Sequence, residues 1–169
     1  SNENTKKQTM FFYPRELELE IVDYLNKGEQ DLTEQSLKKF ADVVRASESY
    51  NLIYQSYHVL LSSIIRSIEQ KGIGLLEIME NNWFDQLKSR KTTGEIVDWF
   101  IEVLFPLYFD IIEENQNLSG RLAVQKVWQH VKENIGINIS LTECAELVGM
   151  SPAYLSRLFR SETGISFVD

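Results

Sequence analysis

The chain has 169 residues, with 17 basic and 25 acidic side chains and a formal net charge of −8. This length accommodates one or two domains with a hydrophobic core, and the share of 43% hydrophobic residues argues against general disorder. Residues 96–112 are the most apolar stretch, but charged residues and a proline interrupt them, which excludes a membrane span there. A single cysteine excludes an internal disulfide and a cysteine-based zinc cluster. We expect a reducing, cytoplasmic setting with no membrane contact by this segment.

The charge is unevenly distributed along the chain. Residues 1–119 carry 12 basic and 20 acidic groups, whereas residues 120–169 carry five of each. An acidic surface repels the phosphates that dominate nucleic-acid affinity, and only the last third avoids this repulsion. The asymmetry indicates two units with different roles.

The first two-thirds of the chain predict helices throughout. Residues 1–9 are a polar N-terminal segment, and Ser1 and Asn2 are interpreted as a cloning remnant. Pro14 suits the first turn of a helix that Gly28 ends. Further along, Pro106 is expected to kink or end a helix. The other expected helices cover residues 33–49, 50–71 and 75–79, with one more opening at the Thr92–Glu95 capping box.

The 50–71 helix carries a long apolar stripe. We expect the stripe to form the core of its own bundle, and a partner-facing surface is the alternative. The polar run 113–117 predicts a boundary between a helical regulatory or linker domain, residues 10–118, and a C-terminal domain, residues 119–169. The fold class expected is all-α: a helical bundle followed by a single helix-turn-helix unit.

The C-terminal third has clear helix start and stop signals. A helix over 119–134 is followed by a capping box, Ser140 and Glu143, which opens a short helix over 141–148. The pair Ser151-Pro152 then announces a helix over 152–162. Two short helices joined by a three-residue turn are the outline of a helix-turn-helix.

The spacing within this pair distinguishes an inner face from an outer face. Ala145 is small where the helices must approach closely, and Gly149 can take the positive φ of a sharp turn. The expected inner residues are Leu141, Val148, Met150, Leu155, Leu158 and Phe159, and Cys144 is a small buried hydrophobe by default. The expected outer residues are Ala153, Ser156, Arg157 and Arg160.

The outer residues suit a helix lying in the DNA major groove. Arginine pairs bidentately with guanine, and serine bonds a base edge or a phosphate. By residue type, Tyr154 and Arg160 suit contacts to backbone phosphates. Many all-α domains contain a similar helical pair, however, and the neutral charge weakens the electrostatic argument, so the pattern alone leaves both interpretations open.

The residues themselves resemble a known family. The run from Gly149-Met150-Ser151-Pro152 through Tyr154-Leu155-Ser156-Arg157 to Phe159, followed by Glu162-Thr163-Gly164, resembles the first helix-turn-helix of AraC/XylS transcription regulators. The likeness covers residues 122–169. It implies that Ala153, Ser156 and Arg157 read bases, and that Ser151, Tyr154 and Arg160 lie near phosphates.

The chain departs from that family in one respect. The resemblance implies a module with two helix-turn-helix units, and only the first is present. We therefore expect a fragment of a larger regulator, binding double-stranded DNA weakly or undetectably. We expect no enzymatic activity, cofactor or metal site.

The preceding helices look similar to regions before the DNA module in some Gram-positive AraC-like regulators. Those parents are response regulators or membrane-anchored sensors, and the sequence leaves the choice open. The implied role is signal relay or dimerisation, giving a homodimer through the helical domain. The alternative function is therefore a signal-relay or dimerisation module whose truncated reader does not bind DNA.

Overall fold

The computed structural model describes residues 11–74 and 78–167. The all-α prediction is confirmed, because every regular element within these ranges is helical and none is a strand. The helices are α1 Arg15–Lys27, α2 Gln30–Arg45, α3 Tyr50–Glu69, α4 Trp83–Lys88, α5 Thr93–Trp99, α6 Phe105–Glu133, α7 Leu141–Val148 and α8 Pro152–Thr163. A π-helical turn, Phe100–Leu104, joins α5 to α6.

Two of the predicted segments lie wholly or partly outside the described residues. The polar segment 1–9 lies outside the described residues. Of the short helix expected over 75–79, residues 75–77 also lie outside them, and Ile78 and Met79 are helical. None of the helices in the described ranges combines the length and apolar character that crossing a membrane requires.

The chain forms two compact units, which we call the helical unit, Ser1–Asp110, and the C-terminal unit, Ile111–Asp169. The division falls inside α6, which continues from one unit into the other. The polar run 113–117 is therefore helical. The predicted domain boundary at 118/119 also lies within α6, and the domain assignment stays a prediction.

The apolar stripe of α3 is the core of the helical unit. Tyr57, Leu60 and Ile64 are at most 1% exposed, and Ile68 is fully buried. Side chains from the flanking helices and the π-helical turn complete this core, among them Ile21, Leu25, Leu37, Phe40, Val44, Trp99 and Phe100. The expectation that this stripe packs within its own bundle is confirmed, and the stripe is not a partner-facing surface.

The α2 helix begins three residues before the expected Thr33. Thr33 is fully buried, and its hydroxyl donates to the carbonyl of Glu29 at 2.6 Å instead of capping a helix start. A threonine inside a helix can satisfy its hydroxyl in this way. The helix ends at Arg45 and not at the expected Ser49. Ser49 instead caps α3, where its hydroxyl accepts from the Leu52 N–H at 3.3 Å.

Pro106 was expected to kink or end a helix, and the expectation that it ends one is wrong. Pro106 is the second residue of α6, and helix continues through Glu133. Just before it, the Phe105 N–H donates to the carbonyl of Phe100, five residues back. A proline lacks the N–H that a regular α-helix needs, and a single π-helical turn accommodates such a defect without stopping the helix. The helix expected over 119–134 is thus the second half of α6.

Candidate nucleic-acid interface

The C-terminal unit contains the predicted helix-turn-helix, formed by α7, the turn 149–151 and α8. Both predicted N-caps are present. Ser140 Oγ accepts from the Glu143 N–H at 3.1 Å, and Ser151 Oγ accepts from the Tyr154 N–H at 3.2 Å. Each bond satisfies a backbone donor that a helix start leaves without an intrahelical partner. The local sequence therefore defines both helix starts.

The turn between the two helices depends on Gly149. Its φ is +68°, in the left-handed region, and the Met150 N–H bonds the Ala145 carbonyl at 3.0 Å. A Cβ on Gly149 would meet no atom within 4 Å. Glycine is thus required for its backbone conformation and not for space, since left-handed φ strains other L-residues.

A small apolar core holds the corner together. It comprises Val124 and Val127 from α6, Cys144 and Ala145 from α7, and Leu155 and Phe159 from α8, all at most 5% exposed. The remaining inner residues expected from the sequence, Leu141, Val148, Met150 and Leu158, pack against this core. The inner face is confirmed.

Cys144 lies within that core and is fully buried. Burial raises the pKa of its thiol, and the nearby Glu143 carboxylate adds to the effect. A raised thiol pKa lowers the fraction of reactive thiolate. Cys144 therefore has the properties of a structural cysteine and not of a reactive one.

Two aromatic contacts anchor the last turns of α8. The ring centroids of Phe159 and Trp128 lie 5.5 Å apart, and those of Phe159 and Phe167 lie 5.4 Å apart in an edge-on arrangement. Such pairs stabilise packing beyond the area they bury. Phe159 therefore contacts both α6 and the segment after α8.

The six candidate DNA-binding residues share the solvent side of α8 and its cap. We call them the outer face: Ser151, Ala153, Tyr154, Arg157 and Arg160 are exposed, and Ser156 is half-buried. Leu155 and Phe159 point the opposite way, into the core. Neither arginine forms an ion pair with any described residue, so both guanidinium groups are available to an anionic partner.

The sequence reasoning missed one residue behind this face. Gly120 of α6 is buried, and a Cβ built on it would lie 3.0 Å from Leu158 Cδ1. An isolated glycine within a helical pattern is the signal that marks such a close approach.

The comparisons with known proteins agree with this geometry. Residues 131–169 match the family model described as "Bacterial regulatory helix-turn-helix proteins, AraC family". The resemblance to AraC-type regulators is thereby confirmed for this segment. No solved structure gives a significant match.

One curated relative matches nearly the whole chain. It is the "Uncharacterized HTH-type transcriptional regulator YtdP" of Bacillus subtilis (strain 168), 22% identical over 164 residues. The match covers 96% of this chain but only 21% of the relative. The chain thus spans about a fifth of the length of that protein.

Proposed function

We propose that the C-terminal unit binds double-stranded DNA through α8 and serves a transcription regulator of the AraC type in the cytoplasm. The observation that carries the proposal is the two-sided character of α8. Leu155 and Phe159 are buried, while Arg157 and Arg160 are exposed and free of ion pairs with described residues. In a helix-turn-helix this second helix lies in the major groove, with side chains of its first turns toward base edges.

Three residues of the outer face are assigned to base reading. The Arg157 guanidinium can pair bidentately with guanine O6 and N7, and the Ser156 hydroxyl can bond a base edge. Ala153, near the start of α8, is small enough for close approach and suits contact with a thymine methyl group. These assignments are the ones that the resemblance to AraC-type regulators implies, and the residue types are compatible with them.

The other three residues are assigned to phosphates. The exposed Arg160 and the hydroxyl of Tyr154 supply donors. Ser151 Oγ already accepts the Tyr154 N–H at 3.2 Å, but its own hydroxyl proton remains available to a phosphate oxygen. Ser151 therefore caps α8 and donates to DNA at the same time.

The affinity of this chain for DNA is proposed to be weak at physiological salt. The C-terminal unit, residues 111–169, has five basic and seven acidic groups, so it lacks the basic excess that drives association. Few phosphate contacts also mean few released counterions. Binding should therefore be sought at low salt.

The test is fluorescence anisotropy with a labelled duplex between about 50 and 200 mM salt, combined with selection from a randomised duplex pool. Arg157→Ala should lower affinity and relax the base preference at one position, because it removes a base contact. Arg160→Ala should weaken binding to all duplexes and reduce the salt slope by about 1, because it removes a phosphate contact.

The matched control is Arg66→Ala, which removes an exposed arginine from α3 of the helical unit. It has the same change in net charge and should leave the affinity and the base preference unaltered. An affinity that depends on neither salt nor Arg157 would contradict the proposal.

A second candidate function is supported by exposed apolar residues on and near α3. Tyr50, Leu52 and Val59 are 42–53% exposed, and Phe84 of α4 is 43% exposed. Leu52 and Val59, seven residues apart and therefore on one face of α3, form an exposed apolar pair that suits a helical module that relays a signal or forms a homodimer. A dimer in light scattering that is lost in Val59→Lys, together with no DNA response at low salt, would favour this function over the first.

A further inference from the structure

Leu158 of α8 packs directly over Gly120 of α6. Gly120 is buried, and a Cβ built on it would lie 3.0, 3.6 and 3.8 Å from Leu158 Cδ1, Cδ2 and Cγ. Among the described glycines no other would bring a Cβ closer than 3.9 Å to a neighbour. A side chain at this position would therefore displace the end of the half-buried Leu158 side chain by at least a few tenths of an ångström.

We propose that Gly120 is a positioning residue for DNA reading: its lack of a side chain sets the roll and depth of α8, and with them the placement of Arg157. The inference rests on the proposed DNA-binding function and adds a residue of α6 that lies outside the outer face. It acts through Leu158.

The geometry of two contacts carries this proposal. Leu158 meets Gly120, and the next residue, Phe159, meets Trp128. The two α6 positions are eight residues apart, about 12 Å along a helix, while neighbouring side chains on α8 diverge by about 100°. Two contacts that diverge in this way resist rotation of α8 about its own axis.

A displacement at Leu158 passes to the outer face through the backbone. Arg157 directly precedes Leu158, and Tyr154 lies one helical turn before it. Spacing between packed helices depends on the side chains at the contact, so added bulk at Gly120 moves α8 away or rolls it. Base-edge hydrogen bonds need donor–acceptor distances of about 2.7–3.2 Å. A displacement of the Arg157 guanidinium by about 1 Å is therefore enough to break them.

The experiment compares Gly120→Ala and Gly120→Leu with the unaltered chain. The readouts are anisotropy with a labelled duplex at low salt, the thermal midpoint, and the backbone amide shifts of α8. Gly120→Leu should lower affinity about tenfold, the loss expected from one misplaced bidentate base contact. Gly120→Ala should lower it less, with an unchanged or raised midpoint, because alanine favours helix.

Two further variants separate positioning from stability. Gly94→Ala, in α5, is the matched control, since its Cβ would meet only Thr92 Oγ1 at 3.9 Å. It should leave the affinity and the α8 amide shifts unchanged. Leu158→Ala, added to Gly120→Leu, restores the space and should recover most of the lost affinity.

The outcomes distinguish the two proposals. If the unaltered chain binds no duplex at low salt, the proposed function fails. If it binds, and folded Gly120→Leu or Gly120→Ala binds equally well, the positioning role alone is overturned. It is also overturned if the loss of affinity follows the fall in midpoint and Leu158→Ala recovers none of it.

Discussion

The hydroxyl groups of Tyr108 and Ser67 lie 2.9 Å apart in the interior of the helical unit. Asn26 completes the group: its side-chain amide bonds Ser67 at 3.1 Å, and its carbonyl oxygen accepts from Tyr108. Three helices, α1, α3 and α6, thus share one satisfied polar network. Burial raises the pKa of Tyr108, so the phenol stays protonated as a donor.

Removing the Tyr108 hydroxyl should destabilise the helical unit. In Tyr108→Phe the Asn26 oxygen and the Ser67 hydroxyl each lose one partner but still bond each other, so the loss is that of one hydrogen bond, about 0.5–1.5 kcal/mol. Urea unfolding measures the change. Tyr24→Phe is the control, because the Tyr24 hydroxyl bonds no described residue, and it should change the free energy of unfolding little. Equal losses in the two variants would show that the network does not stabilise the unit.

Gly149→Ala should destabilise the C-terminal unit through backbone conformation alone. The added Cβ meets no atom within 4 Å, but φ stays at +68°, which costs an L-residue about 1–2 kcal/mol. Asparagine tolerates this region better, so Gly149→Asn should cost less. Thermal unfolding of the three proteins checks this order, and an alanine variant as stable as the original would contradict it.

Cys144 should resist alkylation in the folded protein. It is fully buried, and its raised thiol pKa leaves little thiolate near neutral pH. Labelling with iodoacetamide should be slow, then fast once denaturant unfolds the chain. With only one cysteine, mass spectrometry gives an unambiguous measurement. Labelling of native protein at the rate of the unfolded chain would mean that the core opens readily.

The helical unit should lose stability as the pH falls below about 6.5, the ordinary pKa of histidine. Burial, and then the positive charge of Lys88, lowers the pKa of His58. The unfolded chain therefore binds a proton at a higher pH than the folded chain, and protonation favours unfolding. The stability is complete above the unfolded pKa and declines through the window below it.

Comparing the original chain with His58→Gln between pH 7.5 and 5.5 isolates this effect. The surroundings of His58 are aromatic, with Tyr54 and Phe84 at centroid distances of 4.6 and 5.8 Å. The variant should show a flatter dependence of unfolding free energy on pH. An identical slope in both proteins would remove His58 as its source.

The local sequence was sufficient wherever a helix begins or ends through its own residues. Ser140, Gly149 and Ser151 predicted the ends of α7 and the start of α8, because caps and left-handed turns act within a few residues. The inner and outer faces of α8 followed from the helical period, and the residue pattern from Gly149 to Gly164 indicated the resemblance to AraC-type regulators that the match over residues 131–169 confirms. These features depend on neighbours close in sequence.

The all-α class, the helix-turn-helix and the two faces of α8 could all be predicted from the order of the residues. Three features could be seen only in the folded chain: the helix continues past Pro106, Thr33 bonds within a helix, and Gly120 lies under Leu158. Helix continuation beyond a proline and the need for a glycine both depend on partners distant in sequence. A periodic pattern identifies which face is apolar, but the packed chain alone determines what that face contacts.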